Sequence, residues 1–288
     1  MSKEILEVLA PAPGKKYIDC TLGDGGHSLL LLKEGASVLG LDVSTTSVSR
    51  AFGRIESENL GKNFVCTKGN FKNIEEIASQ IGFFKVDGIL FDLGYSSSQL
   101  DEEDTGMSFI NDQPLDMRLD KSLTVTAADL INVLNEKQLS DLIYSYSDER
   151  MAKKFAKAIV SHRGLKKFHT TKDLADLLKS EAPLGYEHGR IHPATRTFQA
   201  LRIAVNNEIE NLQLALPQAA RLLLPGGRVA ALSFHSLEDK VLKDFGRSAQ
   251  SNLKSLTPKP LSPSTEEIQQ NPRARSAKLR AYEKTAHV

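Results

Sequence analysis

Several things are scarce in this sequence, and each scarcity narrows the field. Only two cysteines occur in 288 residues, Cys20 and Cys66, which rules out a disulfide scaffold. Both fall inside strand-like apolar runs without metal-ligand spacing, so they read as buried, reduced thiols, and no metal is expected. No apolar run approaches the ~18 residues of a membrane span. The opening Met-Ser-Lys-Glu-Ile-Leu-Glu lacks the apolar core of a secretion signal, which makes the cytoplasm the expected location. Charge imbalance is missing too. Thirty-seven Lys and Arg face 36 Asp and Glu, a formal net charge of +1. A polycationic coat is excluded, and any contact with nucleic acid needs a local basic patch. There is no internal repeat.

What is present is ordinary globular material, 40% hydrophobic and 25% charged, enough for a sizeable core. Between Lys16 and Gly94 short apolar runs at 17–21, 37–42, 63–67 and 86–92 alternate with helical patterns at 28–33, 45–57 and 74–80. That alternation predicts βαβ crossovers and a doubly wound parallel sheet, with ligands at the C-terminal strand ends. Asp19, Asp42, Asn70-Phe71 and Asp92 end these strands. From 96 to 120 the text reads as a long irregular loop, and from 126 to 179 it is helical. Thr126 to Asp129 forms a capping box, Thr170 to Asp173 resembles another, and Met151, Phe155, Ile159 and Val160 share one helix face. A small helical domain inserted into the sheet domain is expected. One long helix should then run from Pro193 through Phe198, Leu201, Val205, Ile209 and Leu212, broken or restarted at Pro217. A strand at 228–234 resumes the sheet, and 277–282 reads as a last edge strand before the end of a basic tail. The organisation expected is 1–100 and 193–288 for the sheet domain, with 101–192 as connecting loop and insertion.

The chemistry centres on Gly23-Asp-Gly-Gly-His-Ser28, which joins the first strand to a Leu-rich helix. Glycines permit the turn and leave peptide groups uncovered, and the helix start turns N–H groups toward a ligand. A dinucleotide fingerprint would need a third glycine where Ser28 stands. Asp24 would repel a pyrophosphate, whereas a cofactor with an ammonium and a sulfonium would tolerate it. This favours S-adenosylmethionine (SAM) over NAD. Asp42 could hold ribose hydroxyls, or cap the helix at Thr45. Phe71 could cover an adenine face, or be a core aromatic. Asp92, followed by Leu-Gly-Tyr-Ser-Ser-Ser-Gln99, could bind the cofactor's ammonium or orient an N–H of the nucleophile. His192 to Arg202 places Arg196 and Arg202 on a helix suited to phosphates. Ser233 to Asp239 holds a capping-box variant, Ser236 with Asp239, and leaves His235 free to face the site. No G-x-S-x-G elbow supports a hydrolase.

Taken in order, the blocks 19–28, 92–101, 114–118, 192–206, 233–240 and 271–280 resemble the bacterial 16S ribosomal RNA cytosine-N4 methyltransferases (RsmH, formerly MraW), from about Glu4 to the tail. The resemblance implies a Rossmann-like class I SAM-dependent sheet with an inserted all-helical domain. It implies methylation of a cytidine N4 in the decoding (P-site) region of 16S rRNA in the small ribosomal subunit. It also implies Gly25, Gly26, His27, Asp42, Phe71, Asp92 and Gln99 as cofactor-binding positions. For the reaction itself an acceptor for the amine N–H is needed, and Asp92 is the catalytic candidate, with the backbone after it or Ser96 serving instead if Asp92 is used on SAM. Arg196, Arg202 and His235 are candidate RNA contacts, within a footprint taking in 162–202 and the basic tail. The chain departs from the family pattern in lacking a His-x-Pro-Val-Leu opening, in Asp24 where Gly is usual, and in Thr105-Gly-Met-Ser-Phe109 for Arg-Gly-Phe-Ser-Phe. Two rival readings are a nicotinamide-dependent oxidoreductase and a non-enzymatic assembly factor holding SAM as a structural ligand.

Overall fold

The computed structural model describes residues 1–94, 105–248 and 252–285. The chain forms two compact units, residues 1–96 with 209–288, and residues 97–208. Helices among the described residues are α1 (Ser2–Leu9), α2 (Gly26–Lys33), α3 (Thr45–Ser57), α4 (Ile74–Ile81), α5 (Ala127–Val133), α6 (Glu136–Ser147), α7 (Ala152–Arg163), α8 (Thr171–Glu181), α9 (Ala194–Asn206), α10 (Glu208–Leu222), α11 (Ser236–Arg247) and α12 (Thr265–Gln270). Strands are β1 (Lys16–Asp19), β2 (Ser37–Asp42), β3 (Phe64–Lys68), β4 (Val86–Asp92), β5 (Leu223–Ser233), β6 (Leu253–Ser255) and β7 (Lys278–Lys284).

In the first unit all seven strands form one sheet, ordered β3-β2-β1-β4-β5-β7-β6. The first five are parallel, as βαβ alternation requires, and β7 runs antiparallel between β5 and β6. Leu39, Leu41, Ile89 and Phe91 are fully buried, because helices cover both faces of the central strands. The C-terminal strand is not the edge expected from sequence. Ala281 of β7 pairs with Ala230 on one side, and Tyr282 pairs with Ser255 of β6 on the other. Leu253-Lys-Ser255 is too short and polar to announce itself as a strand.

The second unit packs α5 to α9 around Ile131, Ile143, Phe155, Ile159, Phe168, Leu174, Phe198 and Leu201. Here α9 differs from expectation twice. Its apolar face, with Ala194, Phe198, Leu201 and Val205, lies in this helical core and not with the sheet. It also ends at Asn206, because Asn207 takes a left-handed conformation (φ 50), while Pro217 sits inside α10 without breaking it. Leu216, Ala219 and Ala220 are buried around Pro217, and this burial offsets the lost backbone hydrogen bond. The Thr126–Asp129 capping box forms as read, and a second joins Asn135 to Gln138 at the start of α6.

The described part of the long loop, 105–120, is tied down by polar side chains. Asn206 Nδ2 donates to Met117 O and its Oδ1 accepts from Leu119 N, both at 2.8 Å. Asn206→Ala orphans both backbone groups, at about 1–3 kcal/mol each, and a lower thermal midpoint is the expected result. Asp116 is gripped by Arg118 Nε at 2.7 Å and Lys121 Nζ at 2.9 Å. Burial pulls the Asp116 carboxyl up, but the Arg118 and Lys121 hydrogen bonds prevail and hold it at about 2. The folded value lies below the unfolded one of roughly 3.9, so this stabilisation is present above about pH 4 and disappears toward pH 2. Asp116→Asn is therefore expected to lower the unfolding midpoint at pH 7, with the difference from wild type closing near pH 2.

Candidate active site

The strand ends of β1, β2 and β4 lie side by side, with Asp19 in register with Gly40 and Leu90. β1 stops at Asp19 and the chain turns through Gly23 (φ 50) and Gly25 (φ 74) into α2. Gly25 is the N-cap of that helix, in the left-handed region glycine tolerates. A Cβ there would lie 3.1 Å from Ala51 Cβ, so the turn runs tight against α3. Gly26 is exposed at the helix start.

A polar network ties the turn to β4. Buried Asp19 accepts from Ser28 Oγ at 2.8 Å and from Thr21 N at 3.2 Å. Thr21 Oγ1 in turn accepts from Asp92 N at 2.6 Å. His27 Nε2 stands 3.3 Å from Asp92 Oδ2. Burial works against charge on His27, but the hydrogen bond and charge of Asp92 and the charge of Asp19 outweigh it and raise its pKa. Burial likewise pushes Asp19 up, against His27 and Ser28. Ser28 stands out from the sequence only as a missing glycine and Thr21 not at all, and neither is read there as a partner of the strand-end carboxylates. Their only signal for that role is position, two and nine residues after a strand-ending Asp.

Asp42 closes β2 and braces the same turn. Its Oδ2 accepts from Gly23 N at 2.9 Å and its Oδ1 from Ser44 N at 2.8 Å. Ser44, not Asp42, caps α3, accepting from Ser47 N at 3.2 Å. The Asp42 plane is thus fixed by one backbone donor per oxygen, and each oxygen keeps a lone pair for a further donor. Asp24 is paired with Arg50 Nε at 3.0 Å. Its charge is compensated, and so it speaks less strongly against a pyrophosphate than the sequence implied. Phe71 is half-buried and packs edge-on to Phe91, centroids 5.7 Å apart, so it already serves the core. Ser96 and Gln99 lie outside the described residues.

The three basic candidates are each engaged within the protein. Arg196 Nη1 meets Glu187 at 2.8 Å. Arg202 holds both Glu208 carboxylate oxygens at 2.8 Å, with its side chain only 12% exposed. His235 is itself the N-cap of α11, in a capping box with Glu238, which replaces the Ser236–Asp239 pairing read from sequence. Its Nδ1 accepts from Glu238 N at 3.4 Å, and Glu238 Oε2 accepts from Phe234 N at 2.8 Å. Asp239 is held instead by Arg280 at 2.7 Å and Lys278 at 3.5 Å.

The sequence pattern of the MraW methylase family matches residues 1–285. The chain belongs to the MraW methylase family. It is therefore a methyltransferase, its fold the class I sheet described above and its methyl donor S-adenosylmethionine. Among similar proteins, the ribosomal RNA small subunit methyltransferase H of Dehalococcoides mccartyi is 41% identical over 304 aligned positions, covering 99% of this chain and 85% of that one. The protein of the same name from Deinococcus deserti is 44% identical over 284, covering 99% and 92%. Among solved structures, an rRNA methylase from Streptococcus thermophilus aligns at a TM-score of 0.48 and 11% identity, over 99% of this chain and 94% of that one. No helix among the described residues is long and apolar enough to cross a membrane.

Proposed function

We propose that this MraW methylase transfers a methyl group from SAM to the N4 atom of a cytidine in the decoding region of 16S rRNA, within the small ribosomal subunit in the cytoplasm. The observation that carries the donor side is Asp42 at the end of β2, with both carboxylate oxygens fixed by backbone donors and the glycine turn after β1 beside it. Small-subunit rRNA as acceptor is supported by the named function of relatives above 40% identity.

The residues present fit the donor. Asp42 keeps one lone pair per oxygen for the ribose hydroxyls. Gly25 allows the tight left-handed turn into α2, and exposed Gly26 leaves the peptide group at the start of that helix open to close approach. Phe71 offers its remaining exposed surface to the adenine, and Gln99 completes the set that the family resemblance implies. When bound, SAM supplies an electrophilic methyl group on a sulfonium centre. The N4–C bond forms as the S–C bond breaks, and one N4 proton must leave. Asp92 Oδ2 is held by His27, and Oδ1 has no partner among the described residues. In this reading that oxygen accepts an N–H of the amine, localising its lone pair for in-line attack. The carboxylate of Asp92 in turn raises the pKa of His27 against the effect of its burial. Holding donor and acceptor in line supplies several kcal/mol of the rate, provided the cytidine is turned out of its stack. Arg196, a quarter exposed, is the more accessible of the two arginines proposed to meet RNA.

The test is transfer of labelled methyl from SAM to isolated small subunits or their rRNA. Label in RNA is expected. Saturable SAM binding with no label in RNA would favour the assembly-factor reading, and NAD binding in place of SAM would favour the oxidoreductase.

A further inference from the structure

The second unit contains a stretch of one-sided charge. From Arg150 to Lys172 there are eight Lys and Arg and no Asp or Glu, in a chain whose net charge is only +1. The structure sorts these cations. Arg163 donates to Ile131 O at 2.6 Å, Lys154 meets Glu181 at 3.5 Å, and Lys166 meets Asp173 at 2.9 Å. Arg150, Lys153 and Lys157 are exposed, with no carboxylate partner among the described residues. α7 buries Ala152, Phe155, Ala156 and Ile159 in the helical core. Lys153 and Lys157 stand away from that core, four residues and ~6 Å apart along the axis, with Arg150 in the turn leading into the helix. Like charges at this spacing cost the helix roughly 0.2–0.5 kcal/mol, and no carboxylate among the described residues pairs with either lysine to offset it. Arg196 and Arg202, by contrast, are already neutralised by Glu187 and Glu208.

We propose that the outer face of α7, through Arg150, Lys153 and Lys157, is a docking surface for the phosphodiester backbone of RNA. The proposal rests on the reading of the protein as an rRNA methyltransferase, and it adds to that reading a sequence-independent grip outside the methyl-donor site. An anionic membrane fits less well, because the apolar face that would enter a bilayer is spent on the core.

The experiment compares wild type with the triple variant Arg150→Gln, Lys153→Gln, Lys157→Gln, in which glutamine keeps helix propensity. Binding to a 16S rRNA fragment is measured from about 50 to 200 mM salt, alongside SAM affinity and the thermal midpoint. The expected result is an affinity at least tenfold lower at low salt. The slope of log K against log salt should be shallower by about two to three, since each phosphate contact contributes about 0.7–0.9. SAM affinity and midpoint should be unchanged. A charge-keeping variant, Arg150→Lys, Lys153→Arg, Lys157→Arg, should restore the slope. An unchanged slope in the glutamine variant overturns the surface, as does failure of the charge-keeping variant to restore it. Loss of binding to phosphatidylserine vesicles with RNA binding intact overturns it in favour of a lipid. A wild type that methylates rRNA while the glutamine variant keeps its slope defeats the surface alone. A wild type that binds through these cations yet transfers no methyl group defeats the methyltransferase reading alone.

Discussion

Asp92→Asn is expected to reduce methyl transfer by roughly 10²-fold or more while changing SAM affinity much less, the range seen when a positioned proton acceptor is lost. The substitution is nearly isosteric and keeps the backbone bond to Thr21. What it removes is the anion facing the site and the partner of His27. Single-turnover transfer and SAM binding, measured separately, check the two halves, and full-rate transfer by the variant would sink any catalytic role for Asp92. The same pair gives the pH dependence a sign. The pKa of His27 is raised in the folded protein, so its charged form is lost as pH rises through that raised value. A decline in rate on the alkaline side is expected in wild type and should be missing in His27→Asn.

The second large effect is expected at Gly25. Alanine there must hold a left-handed φ of 74 and place its Cβ 3.1 Å from Ala51 Cβ and 3.3 Å from Ala51 Cα. The conformation alone costs about 1–2 kcal/mol, and the contact adds to it because α3 is packed and cannot withdraw freely. Relief by shifting the turn would displace Gly23, whose N–H braces Asp42. Gly25→Ala should therefore lower both the thermal midpoint and SAM affinity, the latter at least tenfold. Gly26→Ala separates the two causes. Its Cβ would meet only Arg54 Nη1 at 3.9 Å, so stability should hold while affinity falls if the backbone lies against the donor. Equal loss of stability in both variants would contradict this account of the turn.

The sheet and its carboxylates were legible because parallel strands buried on both faces read as apolar runs, and β1, β2 and β4 each end in an aspartate. Asp19, Asp42 and Asp92 stand out for that reason. The limits of the helical unit were not legible. The apolar stripe of α9 looks the same whichever core it faces, and Pro217 is a louder signal than Asn207, where the helix ends. At the start of α11 two overlapping pairs, His235 with Glu238 and Ser236 with Asp239, both satisfy cap spacing. The choice is made by Arg280 and Lys278 of β7, 41 and 39 residues further on, which claim Asp239. Basic residues show the same limit. Sequence displays the charges of Arg196 and Arg202 but not the glutamates already holding them, and it does not tell Lys154, paired with Glu181, from Lys153 and Lys157, which have no carboxylate partner among the described residues.

The most direct test of the central claim is nucleoside analysis of small-subunit rRNA after reaction with this protein and isotopically labelled SAM. The account predicts label in N4-methylcytidine, at a single position in the decoding region, and its loss with Asp92→Asn. Label on a carbon of the base, on a ribose hydroxyl or on a purine would contradict it, because each requires a different acceptor geometry at Asp92.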